Sequence, residues 1–213
     1  MNILFFDVET NGLPKNWEGS PGDLSNWPRI VQIAYILSDD SGFIIDEGQT
    51  VIKPEGWTIP PEASSIHGVT TERAIEIGKP LEDVLVHFNS LVDSASIICA
   101  HNLKFDKPVV WAELQRSRVP SWIFFTKGIC TMLSTIEFCA LPGKGAQLKW
   151  PKLQELHVKL FGEEFSGAHD ALADIQATHR CFFGLMRIQD DGQYSRFFDL
   201  TPKPLPVFTI ANK

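Results

Sequence analysis

The stretch Asn2-Ile3-Leu4-Phe5-Phe6-Asp7-Val8-Glu9-Thr10-Asn11-Gly12-Leu13 decides how the chain folds and where its chemistry sits. A short apolar run rich in Ile and Phe reads as a buried strand, but this one ends on two acids placed one residue apart, Asp7 and Glu9. Side chains at i and i+2 leave a strand on one face, and a rise of about 3.3 Å per residue sets their Cα atoms about 7 Å apart. Both carboxylates can therefore reach one cation. Asn11-Gly12 then turns the chain sharply, which puts the acids at the lip of a sheet, open to a substrate. Two solvated acids at a strand end would look the same, so the pair needs partners elsewhere.

Outward from that strand, the loop from Pro14 to Pro28 is polar and turn-rich but carries Trp17 and Trp27. Arg29 to Leu37 reads as an apolar strand, Ser38 to Gly42 turns, and Phe43 to Ile52 is its hairpin partner, so the chain opens with three antiparallel strands. A short helical piece is expected at Ala63 to His67, and Thr70 or Thr71 is positioned to cap another at Glu72 to Ile77. Leu81, Val84, Leu85, Phe88, Leu91 and Val92 recur at helical spacing up to Asp93. Ser96 to Ala100 has the continuous apolar character of a strand buried on both faces. A helix from Pro108 to Arg118, entered through its proline, then implies a parallel crossover. A fifth strand is expected within Trp122 to Thr131 and a helix from Leu133 to Ala140, followed by a flexible lysine-bearing loop from Leu141 to Trp150. Leu153, Leu156, Leu160 and Phe161 mark a helix closed by Gly162, and Ala168 to Ile188 a last long one. Residues 188–213 are polar, then proline-rich, and are expected to be a tail to a single domain over 1–187. This order of elements points to an α/β fold with a mixed five-stranded sheet flanked by helices.

With 213 residues, 44% hydrophobic and 21% charged, the chain has the composition of a soluble globular protein large enough for one well-packed domain. No apolar run reaches the roughly 18 residues of a membrane span, and the N-terminus has no basic segment ahead of its apolar run. A cytoplasmic location without a membrane partner is expected. Cys99, Cys130, Cys139 and Cys181 show no CxxC spacing and lie mostly in apolar runs, the pattern of reduced core residues rather than of disulfides or zinc ligands. The net charge of −7 argues against a general polyanion-binding surface. It leaves room for an acidic site that holds divalent cations, since such a site takes up several of those charges itself.

Partners for Asp7 and Glu9 occur in two later segments. Asp106 follows the fourth strand at a helix start, at the carboxyl-end sheet edge where open α/β folds place their sites; as a plain N-terminal helix residue it would also suit the macrodipole. His101 and Asn102 beside it are expected to hold their loop through hydrogen bonds. Farther on, His169-Asp170-Ala171-Leu172-Ala173-Asp174 opens the last helix. Asp170 and Asp174 have the i and i+4 spacing of one helix face. If Asp170 instead caps the helix, His169 stays in the preceding loop, free to reach the acids.

Taken together, Phe6-Asp7-Val8-Glu9-Thr10, His101-Asn102-Leu103-Lys104-Phe105-Asp106 and the third segment resemble, in order and separation, the three motifs of the DEDDh exonuclease family, which includes the epsilon proofreading subunit of bacterial DNA polymerase III. The resemblance spans about Ile3 to Phe183, and Ser65-Ile66-His67-Gly68-Val69-Thr70 is similar to the family's stretch between the first two motifs. It implies an RNase H-like fold in which Asp7, Glu9, Asp106 and Asp174 ligate two magnesium or manganese ions and His169 is the general base. Oxygen ligands suit hard cations, a pair of such ions serves an in-line displacement at phosphorus, and an imidazole exchanges protons near neutral pH. The expected reaction is 3′→5′ hydrolysis of single-stranded DNA ends to nucleoside 5′-monophosphates, in proofreading or repair.

By the same resemblance Thr10, Leu13, His67 and Phe105 match positions that contact the terminal nucleotide, and Asn102 is a further candidate substrate contact. Phe105 and Leu13 offer the apolar surface that a sequence-tolerant site needs. Lys144, Lys149 and Lys152 are candidates for phosphates downstream. Three other readings share parts of the pattern. An exoribonuclease of the oligoribonuclease or RNase T type runs the same chemistry on a substrate with a 2′-hydroxyl. A silent exonuclease fold acting as a binding module would have lost a ligand or the base, and an RNase H-type endonuclease does not call for His169. No clamp-binding peptide or fused polymerase is visible, so a stand-alone enzyme is expected ahead of a DNA polymerase association.

Overall fold

The computed structural model describes residues 1–192 and 197–201; the proline-rich stretch with Pro202, Pro204 and Pro206 lies outside the described residues. One sheet runs in the order β3-β2-β1-β4-β5, from β1 (Asn2–Thr10), β2 (Ile30–Asp39), β3 (Ile44–Val51), β4 (Ile97–Ala100) and β5 (Lys127–Cys130). β2 and β3 pair antiparallel, as do β1 and β2, whereas β1–β4 and β4–β5 are parallel. This is the mixed five-stranded sheet that the order of elements implies.

Alternation along β1 sorts the core into two faces. Leu4, Phe6 and Val8 join one cluster with α3 (Leu81–Ser94) and α4 (Leu103–Arg116). Ile3 and Phe5 join the other, against α8 (Ala171–Asp190), where Phe5 meets Phe182 edge-on at 5.1 Å. Asp7 and Glu9 continue that second face by the same period, so they emerge on the side where α8 begins. β4 divides likewise, Ile98 and Ala100 to one side and Ile97 and Cys99 to the other, all four buried.

β1 outruns its parallel neighbour. Only Ile3, Leu4 and Phe5 pair with β4, so from Asp7 onward the strand projects past the end of β4 into the gap that α4 enters. That gap lies at the carboxyl ends of two parallel strands, the crevice in which such sheets place ligands.

Several element boundaries differ from the sequence reading, each for a local reason. α4 begins at Leu103, which puts Pro108 inside the helix rather than at its first turn. The turn closes without it, because the N–H groups of Phe105 and Asp106 both reach the Asn102 carbonyl, at 2.7 and 3.3 Å. The fifth strand narrows to Lys127–Cys130, since Trp122 to Thr126 folds on itself: the N–H groups of Phe125 and Thr126 bond to the Trp122 carbonyl at 2.8 and 2.9 Å. In place of one helix over 133–140 there are two short ones, α5 (Thr131–Ser134) and α6 (Ile136–Cys139). They part where the Thr135 hydroxyl bonds the Thr131 carbonyl at 2.7 Å, a side chain competing with the helix ladder. The lysine-bearing segment folds back on itself, with Pro142 bridged to Leu148.

The remaining helices follow the reading except at two starts: the first begins at Pro61 rather than Ala63, and the last at Ala171 rather than Ala168, because Asp170 caps it. α1 (Pro61–His67) is followed by α2 (Thr71–Ile77), which Thr70 caps by accepting the Arg73 N–H at 3.2 Å. α7 (Leu153–Phe161) ends at Gly162 with φ 74°, a left-handed turn that glycine takes without cost. α8 continues to Asp190, and beyond it Phe198 is buried, stacked on Phe182 at 4.6 Å. All four cysteines are free, three of them buried. Among the described residues no helix is long and apolar enough to cross a membrane.

Candidate active site

Asp7 and Glu9 from β1, Asn102, Phe105 and Asp106 from the start of α4, and His169 and Asp174 from the start of α8 line one cavity of about 440 Å³. His101, Lys152, Gln154 and Phe165 are also part of its wall. Ligand atoms of Glu9, His169 and Asp174 lie within 4.8 Å of one another, a spacing that could hold a metal ion. Asp106 is 3% exposed behind them.

None of the four acids has an ion pair with Lys or Arg among the described residues. Burial pushes the Asp106 carboxyl up to about 8, against the backbone N–H groups of Val8 and Asp106 itself, which pull it down. Asp7 is raised well above the usual carboxylate range, by burial first and then by the charges of Asp106, Glu9 and Asp174. Glu9 is pushed up to about 7 by burial and by Asp174. Asp174 reaches about 6 through burial, opposed by the His169 N–H. Charge is thus unfavourable on every one of these carboxylates until something positive joins them.

Asp170 and Asp174 differ in what their carboxylates do at the start of α8. Asp170 is the N-cap of α8, its carboxylate accepting the N–H groups of Leu172 and Ala173 at 3.1 Å each. His169 therefore stays outside the helix, with φ at 71°, a left-handed conformation that costs a non-glycine residue about 1 kcal/mol. In that conformation its N–H reaches Asp174 Oδ2 at 3.0 Å. The loop before it is anchored from two helices. The Gln154 amide exchanges bonds with Phe165, Nε2 to the carbonyl at 3.0 Å and Oε1 from the N–H at 3.2 Å. His157 Nδ1 bonds the Glu163 carbonyl at 2.8 Å, and Arg180 grips Glu163 Oε1 with both terminal nitrogens at 3.0 Å. The sequence reading missed Gln154, Phe165, His157 and Arg180 as supports of the site; helical period alone gives no sign of them.

His101 takes the supporting role expected of it. Its Nδ1 meets Thr131 Oγ1 at 2.9 Å and its Nε2 the Pro151 carbonyl at 3.0 Å, which ties the end of β4 to the segment carrying Lys152 and Gln154. Burial pushes its pKa down to about 4, so at neutral pH Nε2 donates to Pro151 and Nδ1 accepts from the threonine. Asn102 makes no side-chain cap to α4 and faces the cavity instead. Thr10, Leu13 and His67 do not line that cavity. Thr10 is buried with its hydroxyl on the Gly12 carbonyl at 2.6 Å, and Leu13 is 71% exposed. His67 borders a neighbouring cavity of about 430 Å³ with Gln32, Gln49 and Asp170. Of the lysines, Lys152 reaches the wall, while Lys149 is paired with Glu155.

Comparison with known proteins places the fold in a family. The RNase_T family model, described as Exonuclease, matches residues 4–182. The uncharacterized exonuclease CP81 of Escherichia phage 186 is 28% identical over 179 residues, which is 82% of this chain and 83% of the phage protein. Escherichia coli exonuclease I in complex with a dT13 oligonucleotide has a TM-score of 0.69 and 25% identity, covering 90% of this chain but 42% of that one. Exonuclease I from Methylocaldum szegediense, at 0.69 and 23% identity over 89% of this chain and 41% of its own, shares the fold. The chain thus spans about two fifths of the length of the solved exonucleases it matches. The sheet and its flanking helices are those of the RNase H-like exonuclease fold, and the family generally uses divalent metals. Its match over most of the sequence makes this chain a member of the RNase_T exonuclease family, within the DEDDh superfamily of nucleases.

Proposed function

We propose that the protein is a metal-dependent 3′→5′ exonuclease that releases nucleoside 5′-monophosphates from single-stranded DNA ends. The observation that carries this reading is the convergence of Asp7, Glu9, Asp106 and Asp174 in one cavity, none of them ion-paired to a Lys or Arg among the described residues, with His169 at its rim. The donor set fits magnesium or manganese: all four acids offer hard oxygen ligands, and burial of uncompensated carboxylates is what a divalent cation relieves. These four residues would hold two ions, which when bound supply Lewis acidity to the attacking water and to the departing 3′ oxygen.

The chain's own groups do the rest. His169 takes the proton of the attacking water, its loop held still by Gln154 and Glu163. Phe105 presents an aromatic face to the terminal base or sugar, and Asn102 offers hydrogen bonds beside it. For Thr10, Leu13 and His67, outside the cavity wall, a contact to the terminal nucleotide rests on the family resemblance alone. Lys152 on the wall meets a phosphate. DNA is favoured over RNA as substrate because a similar fold, that of exonuclease I, was solved with a DNA oligonucleotide.

End-labelled single-stranded DNA and RNA of matched sequence, digested with magnesium, test the reading. DNA shortened from its 3′ end to mononucleotides is the expected result. Faster loss of the RNA would move the assignment to an exoribonuclease, and undiminished cleavage in excess chelator, or of a circular strand, would defeat it.

A further inference from the structure

The loop between Asn11 and Arg29 holds an exposed tryptophan on a rigid mount. Asn16 and Asn26 are tied twice, Asn16 N–H to Asn26 Oδ1 at 2.8 Å and Asn26 Nδ2 to the Asn16 carbonyl at 2.9 Å. Trp27 Nε1 bonds the Ser20 carbonyl at 3.0 Å. From α4, the Arg116 guanidinium reaches the carbonyls of Leu24, Trp27 and Pro28 at 2.5, 2.7 and 3.3 Å. Gly19 packs so closely that a Cβ there would fall 2.5 Å from Asn26 Nδ2. Trp27 is buried at the root of this unit, yet Trp17 stands 52% exposed on it.

Trp17 also stands between two cavities. Its indole meets the Phe105 ring at 5.8 Å, and Phe105 lines the acid cavity. On its other side lies a groove of about 440 Å³ lined by Trp17, Pro21, Leu103, Lys104, Lys107 and Phe124. Lys107 is engaged, its Nζ 3.2 Å from the Thr126 carbonyl and 5.6 Å from the Phe124 ring centre. Lys104 is exposed. A large aromatic held out to water on a braced loop, next to an ammonium and in ring contact with Phe105 of the reaction cavity, has what a single strand requires: a π-face for a base and a cation for its phosphate.

We propose that Trp17 is a stacking platform for a base one or two nucleotides upstream of the scissile 3′ end, with Lys104 at the adjoining phosphate. The inference rests on the exonuclease reading of the acid cavity and adds a binding subsite to it. It makes affinity depend on strand length: a substrate that ends at the acid cavity gains nothing from Trp17, and one that reaches past Phe105 does.

The test compares wild type, Trp17→Ala and Trp17→Phe on oligothymidylate and on the p-nitrophenyl ester of thymidine 5′-monophosphate, which fills the terminal site and carries a nitrophenyl leaving group but no upstream base or phosphate. Trp17→Ala is expected to raise KM for the oligomer about tenfold, the size of one base–aromatic stack, with kcat and ester hydrolysis little changed; Trp17→Phe recovers most of the loss. An abasic residue at the stacked position should weaken binding to wild type but not to Trp17→Ala. An unchanged oligomer KM in Trp17→Ala, or an equal abasic penalty in both proteins, overturns the proposal. Binding of labelled oligothymidylate in calcium reads the stack without turnover: a tenfold weaker Kd for Trp17→Ala supports it and an equal Kd refutes it. Failure of wild type to hydrolyse either substrate counts against the exonuclease reading instead.

Discussion

Two acids on the same helix show opposite treatments of a buried charge. Asp106 and Glu113 lie two turns apart on α4, 3% and 0% exposed. Glu113 is given two cations: Oε1 accepts Arg29 Nε at 2.7 Å and the Ile30 N–H at 3.1 Å, and Arg116 stands 3.2 Å from Oε2, which otherwise accepts no hydrogen bond among the described residues. Asp106 faces Asp7 and Glu9, and burial drives it to about 8. A fold can bury a carboxylate for its own integrity, and then it supplies the cations itself. Where it buries several and supplies none, the cation is to come from outside.

Asp106→Asn puts the contrast to its hardest test. The variant should lose activity by about 10³-fold or more, while its Tm without metal rises by about 5 °C, because an uncompensated buried acid is gone. Activity and metal-free stability, measured on the same preparation, must move in opposite directions. A loss of both would make Asp106 a structural acid of the Glu113 kind.

Glu113→Gln should do the reverse. Leaving Arg29 and Arg116 without their buried partner costs about 3 kcal/mol, a fall in Tm of about 10 °C for a domain of this size. Turnover of the thymidylate ester well below Tm should stay near wild type, since Glu113 does not line the cavity. A variant as stable as wild type by thermal denaturation would erase the distinction between the two acids.

How much of this contrast is legible in the sequence differs by residue. The period of two along Ile3 to Glu9 fixes which face the first acids leave from, and Asp170 as a cap fixes His169 outside the helix; both are local rules, and both hold in the structure. The start of α4 is harder to read, because Pro108 looks like an opening residue when only its own N–H is considered. The braces of the site are harder still. Gln154 with Phe165, Arg180 with Glu163 and Arg116 with the Trp27 loop join residues distant along the chain, and nothing in their immediate neighbours marks them. Asp106 and Glu113 look alike as letters, and only three-dimensional neighbours separate them.

The smallest effect is a pH dependence, and its sign follows from the acids alone in one window. A carboxyl raised in the folded state keeps a proton that the unfolded chain has already released, so its contribution to stability is present at low pH and lost as pH rises through the folded value. With Asp106 at about 8 and Glu9 at about 7, and Asp7 also raised, that loss starts in the ordinary carboxylate range and is still running at neutral to mildly alkaline pH. His101, held down to about 4, works oppositely, destabilising the fold as pH falls from about 6.5 toward 4, and burial shifts His67 and His179 in the same downward direction. Above about pH 6.5 the unfolded chain's histidines have only their remaining protons to release, a small opposing effect, and the acids dominate. The Tm of metal-free protein should therefore fall by about 5 °C between about pH 6.5 and 8. Saturating magnesium should remove most of that fall, raising Tm more at the higher pH, where fewer protons compete for the same oxygens. Asp106→Asn should flatten the metal-free curve and Glu113→Gln should leave its slope alone. Parallel curves for wild type and Asp106→Asn would mean that the cavity acids are already ionised without metal, and the provision of charge would no longer separate the two ends of α4.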